Sequence, residues 1–242
     1  MIEGRHPVLE SLKAKRPLNK IFLAKGLGQH SVIAQILHLS KSQGVAVEYV
    51  DRAALDRVSL TRTHQGVIAF AAAHKYVEVE DILAKAHAQG EPPFILLLDG
   101  IEDPHNLGAI IRTADAAGVH GVVIMKHRAV GLTAVVAKTS AGAVEHVPVA
   151  RVTNLNDCIR KLKEQRIWVV GLDEGGEIDL NKADFKLPLA LVIGGEGKGL
   201  SRLVRENCDF LVKIEMQGKI NSLNASVAAA VVMYEVVRQR KS

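Results

Sequence analysis

From residue 93 onward, the sequence alternates short, continuously apolar segments with amphipathic ones. The first of them, PFILLLDGI at 93–101, has apolar side chains at consecutive positions, which predicts a strand buried on both faces. Buried strands that alternate with helices are typical of a parallel sheet covered by helices, so we predict the α/β class. Further predicted strands are 121–125, 168–173, 189–195 and 210–216, with helices at 107–118 and from about 225 to 240.

The first third of the chain has a different pattern and a different charge. Residues 1–75 hold 11 Lys and Arg against 5 Asp and Glu, whereas the remainder is close to neutral. This asymmetry favours a module that docks a polyanion such as nucleic acid, although lysines kept for solubility would give the same excess. We predict an α/β/α domain at 1–75 with its last strand at 66–73, a linker at 76–92 and a second domain at 93–242.

Several classes of protein are disfavoured by composition. No run of 18 apolar residues is present, so we expect no membrane span. Cys158 and Cys208 stand far apart with no CxxC pair, and the ten histidines show no metal spacing. We therefore expect no disulfide and no metal, in a protein of the reducing cytoplasm.

The first candidate loop runs from Asp103 to Gly108, after the first buried strand. Asn106 is suited to cap the following helix. Arg112 lies near the start of that helix, where the helix dipole disfavours a cation. The placement indicates a role beyond helix stability, with an ordinary surface arginine as the alternative.

The second candidate loop is GGEGKG at 194–199, directly after a predicted strand. Its four glycines let a backbone approach a ligand closely. The loop matches neither the P-loop, which needs Ser or Thr after Gly-Lys, nor the dinucleotide fingerprint, which belongs early in the chain. A plain glycine turn stays open as the alternative.

The third candidate loop precedes the last predicted helix. Asn221, Ser222, Asn224 and Ser226 place four hydrogen-bonding side chains within six positions. One of them is needed to cap the helix, and the others are available to a substrate. Small residues at 228–230 keep the helix narrow, which allows close packing against another element such as a dimer partner.

Taken together, the three loops resemble the motifs of the SpoU (TrmH) family of RNA ribose methyltransferases. The matching stretches are D-P-x-N-x-G-x-x-x-R-T-A-D-A-x-G at 103–118, L-V-I-G-G-E-G-x-G-L at 191–200 and I-x-M followed by N-S-L-N-x-S-V-A at 214–228. The first third resembles the L30e-like substrate-binding domain of some members, in particular those that methylate a guanosine ribose in large-subunit rRNA.

The resemblance implies a SPOUT-type α/β fold with a C-terminal trefoil knot, and a homodimer formed through the catalytic domain with the active site near the interface. It also implies S-adenosylmethionine bound in a bent conformation against the loops, with Arg112 at the ribose 2′-hydroxyl and the adjoining phosphate. The implied catalytic residues are Arg112, Asn106, Glu196, Ser222 and Asn224, and the implied cofactor-binding residues are Leu172, Gly194, Gly195, Ile214, Met216 and Leu223.

These expectations define one function and three alternatives. We predict S-adenosylmethionine-dependent 2′-O-methylation of a ribose, guanosine by analogy, in 23S rRNA. A tRNA ribose methyltransferase belongs to the same class and stays open. A non-catalytic RNA-binding or assembly protein of the same fold is disfavoured by the intact set of motif residues. A dinucleotide-dependent oxidoreductase is disfavoured by the late position of the glycine loop.

Overall fold

A computed structural model describes residues 1–27, 30–71 and 74–241. Their contacts divide the chain into two units, Met1–Lys75 with Leu132–His146, and Tyr76–Gly131 with Val147–Ser242. The elements are β1 (Ile2–Glu3), α1 (Arg5–Lys13), β2 (Leu18–Ala24), α2 (Ser31–Ser42), β3 (Ala46–Val50), α3 (Arg52–Val58), β4 (Val67–Ala71), α4 (Val79–Gln89), β5 (Phe94–Asp99), α5 (Pro104–Ala116), β6 (Gly121–Met125), α6 (Ala134–Thr139), β7 (Val149–Val152), α7 (Leu155–Glu164), β8 (Trp168–Leu172), β9 (Ile178–Asp179), β10 (Leu189–Gly194), α8 (Arg202–Asn207), β11 (Phe210–Lys213) and α9 (Ala225–Arg240).

The first unit is built on a four-stranded sheet with the order β1-β4-β2-β3. Strands β2 and β3 pair in parallel, whereas β4 pairs antiparallel with both β1 and β2. Apolar side chains of α1 and α2 pack with those of the sheet in one core cluster. The last strand is shorter than the predicted 66–73, and residues 72 and 73 lie outside the described part of the chain.

Residues 132–146 pack within the first unit, whereas we predict them from the sequence to lie in the second domain, 93–242. Glu145 carries this association, because its carboxylate pairs with Arg16 at 2.7 Å and accepts a hydrogen bond from the Ser11 hydroxyl at 2.9 Å. His146 adds a contact of 3.0 Å to Glu10. The apolar pattern of α6 predicts burial, but a pattern does not specify which unit covers the buried face.

The second unit contains a seven-stranded sheet with the order β7-β6-β5-β10-β8-β11-β9. All of its pairings are parallel. Every residue of the interior strand β5 is buried, as its continuous apolar run predicts. The α/β class and the parallel sheet are thus confirmed.

Two strands of this sheet differ from the sequence prediction. Strand β11 ends at Lys213 rather than at residue 216, so Ile214 and Met216 leave the sheet for the loop that follows. The two-residue strand β9 was not predicted, because so short a segment carries no period. The carboxyl ends of β5, β10, β8 and β11 are consecutive at one edge of the sheet, where ligands of such folds bind.

Helix α9 begins and ends where the sequence predicts. Its C-terminal Arg240 donates hydrogen bonds to the carbonyl oxygens of Pro92, Phe185 and Leu187, which fixes the end of the helix on neighbouring loops. Its length is 16 residues. In the described part of the chain, no helix combines the length and apolar character needed to cross a bilayer.

Candidate active site

Helix α5 begins three residues before its predicted start and is capped by Asp103. The Asp103 carboxylate accepts a hydrogen bond from the backbone N–H of His105 at 2.9 Å, and Pro104 occupies the first helical position. The prediction that Asn106 caps this helix is therefore wrong. Proline after an Asx residue is the signal that identifies the true cap. Because Asp103 satisfies the helix end, the Asn106 amide is released for another contact.

The glycine-rich loop after β10 is held by the end of β5. The Asp99 carboxylate is buried and accepts a hydrogen bond from the backbone N–H of Ser201 at 2.7 Å. A Cβ atom added to Gly195 would lie 2.3 Å from the carbonyl oxygen of Gly100, so only glycine fits there. Gly197 and Gly199 adopt φ values of +74° and +60°, which favour glycine.

Three predicted catalytic residues form one hydrogen-bonded cluster. The Asn106 amide donates to Glu196 Oε1 at 2.7 Å. The Asn224 amide donates to Asn106 Oδ1 at 3.0 Å and also to Glu196 Oε1. Asn224 has a second task, because its Oδ1 accepts from the backbone N–H of Ser226 at 3.0 Å and so caps α9. The three candidate segments thus meet at the Glu196 carboxylate. We call Asn106, Glu196 and Asn224 together the Glu196 cluster.

A cavity of about 440 Å³ opens among these loops at the carboxyl edge of the sheet. Its volume lies within the usual range for small-molecule sites. Apolar walls come from side chains such as Ile193. Polar groups come from the glycine-rich loop at 194–199 and from the loop at 221–224. The lining includes all six predicted cofactor-binding residues, namely Leu172, Gly194, Gly195, Ile214, Met216 and Leu223, together with Glu196, Ser222 and Asn224.

An ion pair in the wall of the cavity was missed by the sequence analysis. Asp173 follows β8 directly, and its buried carboxylate receives two hydrogen bonds from the Arg205 guanidinium at 2.7 and 2.6 Å. Both bonds come from the same nitrogen, Nη2, and such short charge-assisted contacts hold the two side chains together. A charged residue at the carboxyl end of an apolar strand was the available signal for Asp173, whereas no local pattern singles out Arg205.

Arg112 and Ser222 differ from the other predicted catalytic residues. Ser222 lines the cavity but is exposed. Arg112 is exposed on α5 and does not belong to the lining of the cavity within the described residues. Its helix packs on α9, which carries Asn224 at its N-terminus. Three of the five predicted catalytic residues therefore line the cavity, Asn106 is hydrogen-bonded to two of them, and Arg112 lies outside.

Cys208 lies beneath β8, close to the site, and is not suited to act as a nucleophile. Burial raises the pKa of its thiol to about 12, and the nearby Asp209 adds to the shift. The thiol instead contacts the carbonyl oxygen of Val204 at 3.2 Å. A covalent thiolate mechanism is therefore disfavoured at neutral pH.

Comparison with known proteins shows the family to which this chain belongs. Residues 93–234 match the SpoU rRNA Methylase family, and residues 1–77 match the RNA 2′-O ribose methyltransferase substrate-binding domain. The chain belongs to the SpoU family. The resemblance of the three motifs is confirmed, and the protein is an RNA methyltransferase of this family.

Relatives and solved SpoU methyltransferases support the assignment over the whole chain. The chain is 53% identical over 241 residues to a TrmH family tRNA/rRNA methyltransferase of Bacillus subtilis, covering 98% of this chain and 94% of the relative. It resembles the SpoU methyltransferase AviRb of Streptomyces viridochromogenes, solved in complex with AdoMet, with a TM-score of 0.80, 28% identity and coverage of 100% and 90%. An AdoMet-bound rRNA methyltransferase of Sinorhizobium meliloti gives a TM-score of 0.76 at 26% identity, covering 98% and 85%. These similarities confirm the SPOUT-type fold class.

Proposed function

We propose that this SpoU family protein transfers a methyl group from S-adenosylmethionine to the 2′-hydroxyl of a guanosine ribose in 23S rRNA. The observation that carries the proposal is the Glu196 cluster at the rim of the cavity. Asn106 lies in the first turn of α5, Glu196 in the glycine-rich loop and Asn224 at the cap of α9. The hydrogen bonds among them need all three segments in place. Such preorganisation of polar groups beside a cavity is what a group-transfer reaction requires.

The chemistry of the cavity fits S-adenosylmethionine. The cofactor combines a flat apolar adenine with charged methionine and sulfonium groups, and the cavity offers both kinds of wall. Leu172, Ile214 and Leu223 supply apolar surface, and the backbone of Gly194 and Gly195 supplies polar atoms. We assign these residues and Met216 to cofactor binding. The sulfonium, when bound, supplies an electrophilic methyl group.

The residues of the chain would orient the acceptor rather than form a covalent bond with it. We assign Asn224 and Ser222 to the ribose and Glu196 to holding the glycine-rich loop in place. Arg112 would contact the phosphate beside the target and orient the 2′-hydroxyl. A guanidinium keeps its proton at neutral pH, so we assign it this positioning role rather than that of a general base.

A homodimer through the second unit is part of the proposal. Val227, Val231 and Tyr234 follow one another at helical spacing on α9, with 48%, 41% and 51% of their surfaces exposed. An apolar stripe of this kind on a catalytic domain fits a second copy of the chain. Contact between copies at α9 would allow the Arg112 of one protomer to approach the cavity of the other, since α5 packs beside α9.

Transfer of tritiated methyl groups to deproteinised RNA tests the function. The wild type is expected to label 23S rRNA at a linkage that resists alkali, because a 2′-O-methyl group blocks strand cleavage. Label found in tRNA alone would show that tRNA, and not 23S rRNA, is the substrate. Label recovered in mononucleotides after alkaline hydrolysis, with none in alkali-resistant dinucleotides, would refute ribose methylation. Glu206→Ala, which changes an exposed glutamate on α8, is the matched control for Glu196→Ala.

The role of Arg112 has its own experiment. Arg112→Lys keeps a positive charge but loses the fork geometry of the guanidinium. If Arg112 positions the phosphate, the variant raises KM for RNA several-fold and keeps the pH profile of kcat. The rise in KM corresponds to about 1 kcal/mol of lost binding free energy. A shifted pH profile with an unchanged KM would instead make the guanidinium the base.

The homodimer is tested by sedimentation. Val231→Glu places a charge in the apolar stripe and is expected to convert dimers into monomers that bind S-adenosylmethionine more weakly. Glu206→Ala again serves as the control. A wild type that sediments as a monomer at all concentrations would refute the dimer without affecting the assignment of the cavity.

A further inference from the structure

The loop Ser59–Gln65 of the first unit, which joins α3 to β4, is organised around one buried carboxylate. Glu3 is fully buried, and its Oε1 accepts from the backbone N–H of Leu60 at 2.7 Å. Its Oε2 accepts from the Ser59 hydroxyl at 2.7 Å and from the backbone N–H of Thr61 at 3.2 Å. A buried carboxylate is costly unless its lone pairs are satisfied, so this one needs the loop in a single conformation.

The same loop holds residues in strained backbone conformations. Arg62 and Gln65 have φ values of +53° and +54°, in the left-handed region that side chains disfavour. The Arg62 backbone N–H donates to the Ser59 hydroxyl at 2.8 Å, and Arg5 donates to both the side chain and the carbonyl of Gln65 at 3.2 Å. Strain persists only where the surroundings fix it, and it concentrates where a protein contacts ligands.

The loop presents one apolar and one cationic side chain to solvent. Leu60 is 72% exposed, an unusual position for a leucine in a loop with so many fixed hydrogen bonds. Arg62 is exposed two residues later. Lys138 adds positive charge, since its ammonium donates to the Thr61 hydroxyl at 3.2 Å. The nearest acidic group on α3, Asp56, is paired with His64 at 2.9 Å.

We propose that the loop Ser59–Gln65 is a preformed RNA-docking loop, in which Arg62 contacts a phosphate and Leu60 packs on an unpaired base. The proposal deepens the proposed function and rests on RNA being the substrate. Unpaired RNA offers a charge on each phosphate together with apolar base faces, which matches an arginine and a leucine side by side. Glu3 is a positioning residue, because it shapes the loop without reaching the ligand.

Burial of Glu3 opposes its ionisation, but hydrogen bonds from Thr61, Ser59 and the backbone N–H of Leu60 outweigh burial and lower its pKa. The carboxylate is therefore charged at neutral pH. A charged acceptor makes stronger hydrogen bonds than a neutral one, which keeps the loop rigid before RNA arrives. A rigid loop loses less conformational entropy on binding than a mobile one.

Affinity for two labelled RNAs tests the loop directly. The probes are a fluorescein-labelled hairpin with an unpaired loop and a fully paired duplex of equal length, measured by anisotropy at several salt concentrations. Arg62→Ala is expected to weaken both about fivefold or more and to reduce the log–log salt slope by about 1. Leu60→Ala is expected to weaken only the hairpin, about fivefold, with an unchanged slope.

Lys41→Ala is the matched control, because Lys41 is an exposed cation on α2 of the same unit. It is expected to change the affinity less than twofold. An equal loss for Lys41→Ala and Arg62→Ala would overturn the proposal in favour of diffuse charge. Wild-type affinity in the double variant of Leu60 and Arg62 would overturn it as well.

The positioning role of Glu3 is measured by Glu3→Gln and by the milder Thr61→Val, which removes one hydroxyl donor. Both are expected to raise KM for RNA with kcat unchanged, and calorimetry is expected to show unchanged S-adenosylmethionine binding. A loss of kcat with an unchanged KM would refute the role. Binding needs no turnover, so a failed methylation assay refutes the proposed function while the affinity ratios still decide the docking loop.

Discussion

Each unit of the chain uses one glutamate to organise a loop, but the two carboxylates differ in burial and in what surrounds them. Glu3 is fully buried, and both of its oxygens accept hydrogen bonds from the loop that it holds. Glu196 is exposed at the rim of a cavity and accepts two amide hydrogen bonds at a single oxygen, Oε1. The buried carboxylate of Glu3 fixes the conformation of its loop, whereas the exposed carboxylate of Glu196 lies where a ligand in the cavity could contact it.

The difference shows how burial separates structural from functional carboxylates. Removing a buried acceptor leaves several donors without partners, which costs stability. Removing an exposed one costs little stability, because water replaces the lost partner, but it releases the loops that it joins. The two glutamates are therefore expected to respond to substitution in opposite ways, Glu196 through activity and Glu3 through stability.

The largest effect is expected at Glu196. Glu196→Ala should lower kcat for methyl transfer about 1000-fold, because Asn106 and Asn224 lose the carboxylate that joins them. The free energy of unfolding should change by less than about 1 kcal/mol, as is usual at exposed positions. Methyl-transfer kinetics and urea unfolding of the same variant measure both quantities. A large loss of stability with a normal kcat would instead make Glu196 a structural carboxylate like Glu3.

At Glu3, the expected effect falls on stability. Glu3→Gln should lower the free energy of unfolding by about 2 kcal/mol, because the amide keeps only one acceptor oxygen and cannot satisfy Leu60 at one position together with Ser59 and Thr61 at the other. Chemical denaturation at pH 7 gives the value. The native pKa of Glu3 is depressed, so the stabilisation is present at neutral pH and is lost as the pH falls through that pKa. An unaltered stability would contradict the account of the buried carboxylate.

A third substitution separates the two tasks of Asn224. Asn224→Asp keeps the oxygen that caps α9 but loses the amide that donates to Glu196 and Asn106. We expect kcat to fall about tenfold with little change in thermal stability. Asn224→Ala, which loses the cap too, should cost about 1 kcal/mol of stability in addition. Equal melting temperatures for the two variants would argue against the capping role.

The smallest effect concerns His74, which lies beside Arg16 and Glu145 in the first unit. Burial lowers its pKa to about 4, with Glu145 opposing the shift and the Arg16 charge adding to it. Between pH 6.5 and 4 the unfolded chain binds a proton that the folded chain does not, so stability falls as the pH falls through this range.

The loss attributable to His74 should be about 1 kcal/mol, after allowance for solvent screening. Unfolding of the wild type and His74→Gln at several pH values isolates it. As the pH falls from 6.5 to 4, the wild type should lose about 1 kcal/mol more stability than His74→Gln. Parallel curves would show that His74 titrates normally.

The sequence predicted the alternation of elements and most of the residues that meet at the candidate site, for identifiable reasons. Continuous apolar runs such as β5 and the long pattern of α9 carry strong periodic signals, and the boundaries of α9 agree with the structure. The three loops were recognised by motifs, and they meet at Glu196. The cap of α5 was assigned wrongly because Asp103 and Asn106 both have capping chemistry, and Pro104 decides between them.

Other features depend on tertiary contacts that local patterns do not encode. The pairing of Arg205 with Asp173 joins residues 32 positions apart, and Arg205 has no distinctive neighbours in the sequence. The packing of residues 132–146 with the first unit depends on Glu145 meeting Arg16. The buried position of Glu3 was equally hidden, because a glutamate near the start of a chain is normally exposed.

The most direct test of the account is a crystal structure of the protein with S-adenosylhomocysteine. We expect the ligand in the cavity bounded by Leu172, the glycine-rich loop and the residues from Ile214 to Asn224, with the Glu196 cluster intact beside it. Ligand bound at any other place, or a cavity in which Asn106 and Asn224 no longer contact Glu196, would contradict the assignment of this site to methyl transfer.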